Sequence, residues 1–147
     1  MPPLSLSRIP FILDARLAAG LPGLPVAFEG QDFTPPAGLW LRPVCQPGQM
    51  QGDEKGEQGW SRRTGLYLVD VIAPCHGAAS LGHVTAPADA WELAARVEEL
   101  FRRESLADPA GPGVLQVEDP YSTNLGLNEQ NAFQVRVTVP WWAWAAR

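Results

Sequence analysis

Four groups of residues have types and spacing that could do chemistry. Cys75, His76 and His83 lie close together, with Asp70 just upstream. A zinc site needs three or four nitrogen and sulfur ligands in a tight shell, ordinarily built on a CxxC or HxxxH pair. Neither spacing occurs, and the side chains of neighbours such as Cys75 and His76 tend to point apart. The same cysteine with either histidine has the parts of a thiolate–imidazolium pair. No nucleophile turn of the G-x-S-x-G kind accompanies it. "HGAASLG" places glycines before a helix, as anion-binding loops do. It lacks the lysine and hydroxyl of a P-loop and is not G-x-G-x-x-G. Glu118-Asp119 and Asp53-Glu54 are adjacent carboxylates, not a pair set across a cleft. The sequence therefore offers no catalytic, cofactor-binding or metal-ligating set, and no cofactor is expected.

Three further groups point to contacts. Arg62 and Arg63 stand at the mouth of "SRRTGLYLVDVIAPC" (Ser61–Cys75). They could clamp a partner's carboxylate or simply be solvated. Asp70 breaks the apolar pattern of that segment, so a structural salt bridge from Arg136 or Arg42 is expected. Trp141, Trp142 and Trp144 are too many tryptophans to leave in water. They either fold over the core or pack on another subunit.

Elements must position these groups. Arg63 to Ala73 reads as a central strand, apolar on nearly every position. Ser7 to Ala19 reads as a helix, with Ser7 as cap, Pro10 in its first turn and Gly20 at its end. Val26–Gly30 and Leu39–Cys45 are strand candidates, the latter demoted at Pro43. Gln46 to Gly59 is polar and without periodicity, so a mobile loop is expected at about 46–62. Thr85 to about Glu104 carries Ala90, Leu93, Ala94, Val97, Leu100 and Phe101 on one stripe, with Trp91 on its flank. Val114–Asp119 is a strand, and "PYSTNLGLNEQN" a long turn. "AFQVRVTVP" alternates cleanly until Pro140 stops it. The order is α-β-β-β-α-β-β. It predicts an α+β sandwich: one domain over 1–147, a mixed sheet of four or five strands, and two helices packed on one face.

Composition sets outer limits. With 147 residues, 46% hydrophobic and 18% charged, one folded domain is expected and disorder is not. A net charge of −5 argues against non-specific nucleic-acid binding. Asp14 and Arg16 interrupt the N-terminal apolar stretch, so it does not read as a signal peptide, and no run reaches membrane-spanning length. Two cysteines make no secreted disulfide framework, and a reducing cytoplasm is the expected setting.

"RRTGLYLVDVIAP" (Arg62–Pro74), a Gly-containing loop, and an amphipathic helix ending "LFRRESL" (Leu100–Leu106) form a larger pattern. It resembles the tail terminator family of long-tailed bacteriophages, with the lambda-like terminators the nearest group. The residues that carry the match are Arg62 or Arg63, Thr64, Gly65, Tyr67, Val69, Asp70, Val71, Pro74, Gly77 and Phe101. The likeness runs over roughly residues 5–140. "CHGAASLGHV" and the Trp-rich end depart from the family pattern. The resemblance implies a structural, non-enzymatic protein. Such proteins form a hexameric ring on the head-proximal end of the tail tube, stop its polymerisation and meet the head-completion protein. DNA passes through the hole without specific binding, and no membrane is involved. On this reading the protein sits in the virion tail and is assembled in the bacterial cytoplasm. Arg62, Arg63, Trp91, Trp141, Trp142 and Trp144 are then the candidate subunit or partner contacts. A neck, head-closure or minor tail protein is the alternative within that class. A small ligand-binding domain or enzyme using residues 74–84 is the alternative outside it.

Overall fold

The computed structural model describes residues 3–52, 60–75 and 82–146. Its elements are α1 (Arg8–Gly20), β1 (Trp40–Gly52), β2 (Trp60–Pro74), α2 (Gly82–Phe101), β3 (Ser105–Ala107), β4 (Val114–Val117), β5 (Tyr121–Leu127) and β6 (Ala132–Ala146). The fold is α+β, with one six-stranded sheet ordered β1-β2-β6-β4-β3, and β5 also pairing β6. Every pairing between named strands is antiparallel. The expected mixed sheet of four or five strands is corrected in these details. The Val26–Gly30 strand reduces to one parallel bridge, Val26 to Leu41.

β2 and β6 pair along their whole length, from Trp60 opposite Ala146 to Pro74 opposite Ala132. Strand side chains alternate, so this pairing sorts both strands into two faces. Tyr67, Val69, Val71 and Ala73 from β2 join Val135, Val137, Val139 and Trp141 from β6 in the core. Ile9, Ile12, Leu13 and Leu17 of α1, and Ala90, Leu93, Ala94, Val97 and Phe101 of α2, bury against the same face. Tyr67 ties the two helices together: its hydroxyl donates to Asp14 of α1, and its ring packs edge-on to Phe101 of α2, 5.7 Å between centroids. The opposite face carries neither helix.

Several boundaries differ from the sequence expectation, each for a local reason. β1 runs on to Gly52 and β2 starts at Trp60, so the expected 46–62 loop is strand at both ends. Residues 46–50 are mostly exposed and therefore carry no apolar alternation to read. Residues 53–59 of that loop lie outside the described residues. β6 does not stop at Pro140. The Pro140 carbonyl accepts from Glu118 N–H, so this residue faces the edge where β5 hands over to β4. The ladder is interrupted there, and proline's missing N–H costs little. α2 starts at Gly82, three residues before the expected Thr85, which lies in its first turn. Arg103, at φ 30°, turns the chain out of the helix. Tyr121–Leu127, read as part of a long turn, is β5, and Ser105–Ala107, at the end of the helical pattern, is β3. Ser7 stands at the α1 N-cap without a capping side-chain bond.

The free edge of β1 is closed residue by residue from Leu41 to Pro47. Leu41 N–H donates to Pro25 O, and Leu41 O accepts from Ala27 N–H. The next outward positions are Pro43, Cys45 and Pro47. The prolines have no N–H, and Cys45 N–H is taken by Glu29 Oε1 at 2.8 Å. Edge amides removed or capped in this way cannot template another strand.

Two glycines separate rigid from yielding packing. A Cβ on Gly65 would collide with the buried Trp141 ring and sit 2.7 Å from Gln46 O. A Cβ on Gly20 would meet only the tip of the half-buried Leu100 side chain. Gly65→Ala is expected to cost about 1–3 kcal/mol of unfolding free energy through overpacking. Gly20→Ala is expected to stay within about 1 kcal/mol of the parent. Urea melts of both variants check this, and equal stability of the two contradicts it.

Arg8 clamps Asp108 through two hydrogen bonds of 2.8 and 2.6 Å, and Ala110 N–H adds a third. These donors hold the Asp108 carboxyl down, Arg8 first, to about 2. A depressed folded-state pKa contributes stability above the usual carboxylate range, and that stability is lost as pH falls toward about 2. The Tm of wild type is expected to fall more steeply between pH 4 and 2 than that of Asp108→Asn. Parallel slopes in a pH series of thermal melts contradict this.

Candidate functional site: the helix-free sheet face

Along β1, β2 and β6, every second side chain points away from the helices. At the centre of this face Asp70, opposite Arg42 and Arg136 in register, is 3% exposed. Arg136 donates to Asp70 through Nε (2.7 Å to Oδ1) and Nη2 (3.1 Å to Oδ2), and Arg42 Nη2 donates to Oδ2 at 3.0 Å. The bidentate fork of Arg136 fixes geometry as well as charge. The fork also raises the Arg136 pKa. Asp70 is thus held structurally by both arginines.

A second cluster lies further along the same face. Arg62 stacks over the Trp142 ring, 4.4 Å from guanidinium carbon to centroid. Trp142 packs edge-on against Trp144, with ring centroids 5.8 Å apart. The Trp142 indole N–H donates to Glu118 Oε1 at 3.1 Å. Leu66, at 36% exposure, and Pro140 stand beside them. Arg62, Leu66, Glu118, Pro140 and Trp142, with Pro47 and Gly48, line a groove of about 530 Å³.

The structure divides the candidate contact residues. Arg62 and Arg63 do not form one clamp, because neighbours in a strand point to opposite faces. Arg63 lies on the helix side and donates to Gly48 O at 3.3 Å, bracing the register shift between Pro47 and Met50. Trp141 is only 1% exposed and belongs to the core, so its expected place at a subunit contact is corrected. Trp142 and Trp144 remain half-buried on the open face. Trp91 is 40% exposed on α2, on the far side of the molecule. Leu66 and Pro140 were not read from the sequence as site residues, and Glu118 only as one of two adjacent carboxylates. The period-two pattern would have placed Leu66 beside Arg62, but Glu118 arrives through β4, whose pairing partner no local signal reveals.

Among the described residues the remaining chemistry-bearing groups form no reactive set. Burial, with the charges of Asp14 and Glu29, pushes the Cys45 thiol up to about 12. The thiolate a nucleophile requires is therefore scarce at neutral pH. Burial also raises Asp14, against the Tyr67 hydrogen bond that lowers it, and pushes Tyr67 far above its ordinary value. Cys75 is buried, with its thiol 3.7 Å from Ala73 O. His76 and the His83 side chain lie outside the described residues. Among the described residues no group of three His, Cys, Asp or Glu could hold a metal ion. No helix there is long and apolar enough to cross a membrane.

These features define a small α+β domain with a shaped, helix-free sheet face. A family model described as phage tail terminator protein matches residues 8–141, and the chain belongs to that family of structural phage tail proteins. A solved structure whose name states no function shares the fold, with a TM-score of 0.65, 22% identity, and coverage of 95% of this chain and 96% of that one. No curated protein matches the sequence.

Arg136 supplies two of the three hydrogen bonds to Asp70. Arg136→Ala leaves a buried carboxylate with one half-exposed partner and is expected to cost about 2–3 kcal/mol, below a fully buried pair because water reaches both arginines. Arg42→Ala is expected to cost about 1 kcal/mol or less. Denaturant melts that reverse this order contradict the assignment.

Proposed function

We propose that this protein caps the phage tail tube as a ring, ends tube polymerisation and presents the surface on which the head is joined. The observation that carries the reading is the family match over nearly the whole chain. Its physical support is a rigid domain with one helix-free sheet face bearing Arg62, Trp142 and Trp144, and an exposed Trp91 elsewhere. The partners are other copies of the chain, the tube protein below, and a head-completion or neck protein above. Contacts are assigned to Arg62, Arg63, Trp91, Trp142 and Trp144. The net charge of −5 suits a ring whose hole DNA crosses without being held. The site of action is the head-proximal end of the virion tail, with assembly in the host cytoplasm.

Phage particles produced without this protein are expected to carry tails of irregular, excessive length that fail to join heads. Negative-stain electron microscopy reads both. Tails of normal length that join heads normally would overturn the reading.

A further inference from the structure

Arg8, Arg16, Arg42, Arg102, Arg103 and Arg136 each have a carboxylate partner. Arg62 has none among the described residues. Its Nε is closed to water and lacks a hydrogen-bond acceptor. Arg63 and Arg96 differ, since the first donates to Gly48 O and the second is exposed on α2. The Arg62 guanidinium is held by the Trp142 ring, 4.4 Å from its carbon. A ring face attracts the cation but takes no N–H in the guanidinium plane. Glu118, the carboxylate of the groove, is engaged by the Trp142 indole N–H. Arg136, on the same sheet face, grips Asp70 side-on through Nε and Nη2. Arg62 has the same edge with nothing on it.

The groove beside this edge runs across the strands. Gln46 of β1, Leu66 of β2 and Pro140 of β6 stand in register, and Glu118, just past β4, lines the far end. Three strand spacings make about 14 Å, room for about four residues of extended chain. Pro47, Leu66 and Pro140 give apolar walls, while Gln46 and Thr64 add an amide and a hydroxyl. Pro47 has no N–H, so a segment lying here is recognised by its side chains and not by strand addition. Charge selects the sign of that segment. The strand side chains of this face, with Glu118, include three arginines (Arg42, Arg62, Arg136) and two carboxylates (Asp70, Glu118), a net of +1 on a chain of −5. Both carboxylates are already engaged. The charge left to meet a partner is the guanidinium of Arg62.

We propose that this groove binds a short extended segment of a partner protein that carries an Asp or Glu side chain beside an aliphatic residue or a proline. The carboxylate takes the Nε and Nη2 edge of Arg62. The apolar neighbour lies on Leu66, Pro140 and the Trp142 ring. Stacking has already oriented the guanidinium, so little side-chain freedom is lost on binding. This rests on the reading of the helix-free face as a contact surface and names the chemistry which that surface selects.

Two-dimensional NMR of the purified full-length chain, with two capped hexapeptides as probes, tests the proposal. One is acetyl-Gly-Pro-Leu-Glu-Pro-Gly-amide, and the other has glutamine in place of the glutamate. The glutamate peptide is expected to shift the Arg62 Nε–H and Trp142 indole N–H signals. It is expected to bind about tenfold tighter than the glutamine peptide, as a hydrogen bond to a charged group requires. In Arg62→Gln the two peptides are expected to bind alike. Leu66→Ala is expected to weaken both and to keep the preference. Circular dichroism melts check that the variants fold. A glutamate peptide that moves neither signal at about 10 mM overturns the proposal. So do equal affinities of the parent chain for the two peptides. A glutamine peptide with a free C-terminal carboxylate that binds better than the capped glutamate peptide also overturns it, because the occupant is then a chain end. So does a concentration-dependent shift of the Arg62 signal without peptide, which makes the occupant a second copy. None of these outcomes touches tail length, so the capping reading stands or falls separately, by electron microscopy of tails.

Discussion

The pairing of β2 with β6 is the constraint on which the rest of the structure depends. It runs without a break for the full length of both strands, and its register assigns every side chain to a face. A slip of one residue would move Tyr67, Val69, Val137 and Trp141 out of the core and bring Arg62, Asp70 and Arg136 into it. Asp70 helps to fix the register from the open face, since only the observed alignment sets its carboxylate between Arg42 and Arg136. Tyr67 does the same from the core face by reaching both helices. The two faces are therefore specified together.

This division explains how the two faces of one sheet can serve different ends. One face is consumed by the helices and forms the core. The other keeps an ion cluster, an arginine on a tryptophan, and a groove. The edge of β1 is shut by Pro43, Pro47 and the bond from Cys45 N–H to Glu29. Uncontrolled strand addition is thereby discouraged, and association is directed to side-chain surfaces, where shape and charge select the partner. Such control suits a structural protein of a phage tail.

Much of this was legible in the sequence where packing leaves a periodic mark. The α1 stripe of Ile9, Ile12, Leu13 and Leu17, the α2 stripe, and the alternation from Phe133 to Val139 each report a buried face directly. Asp70 stood out because a lone carboxylate among apolar residues needs a partner. The motif around "RRTGLYLVDV" carried the family. What stayed hidden depended on pairing, not pattern. The outer half of β1 is exposed and so shows no alternation. Pro140 looked like a stop because proline usually is one; only the hand-over between β5 and β4 makes it harmless there. Trp141 could not be separated from Trp142 and Trp144 while the strand was thought to have ended. Once β6 continues through them, alternation sends Trp141 inward and the other two outward.

The central claim is that this domain acts by presenting the helix-free face and the outer side of α2 to neighbours at the end of a tail. A cryo-electron microscopy map of the head-proximal end of purified tails tests it most directly. The account predicts one closed ring of this chain, with Trp142 and Trp144 of each copy covered by protein and Trp91 at the same boundary. A ring whose helix-free faces stand open to solvent, or a tail end from which this chain is missing, would contradict it.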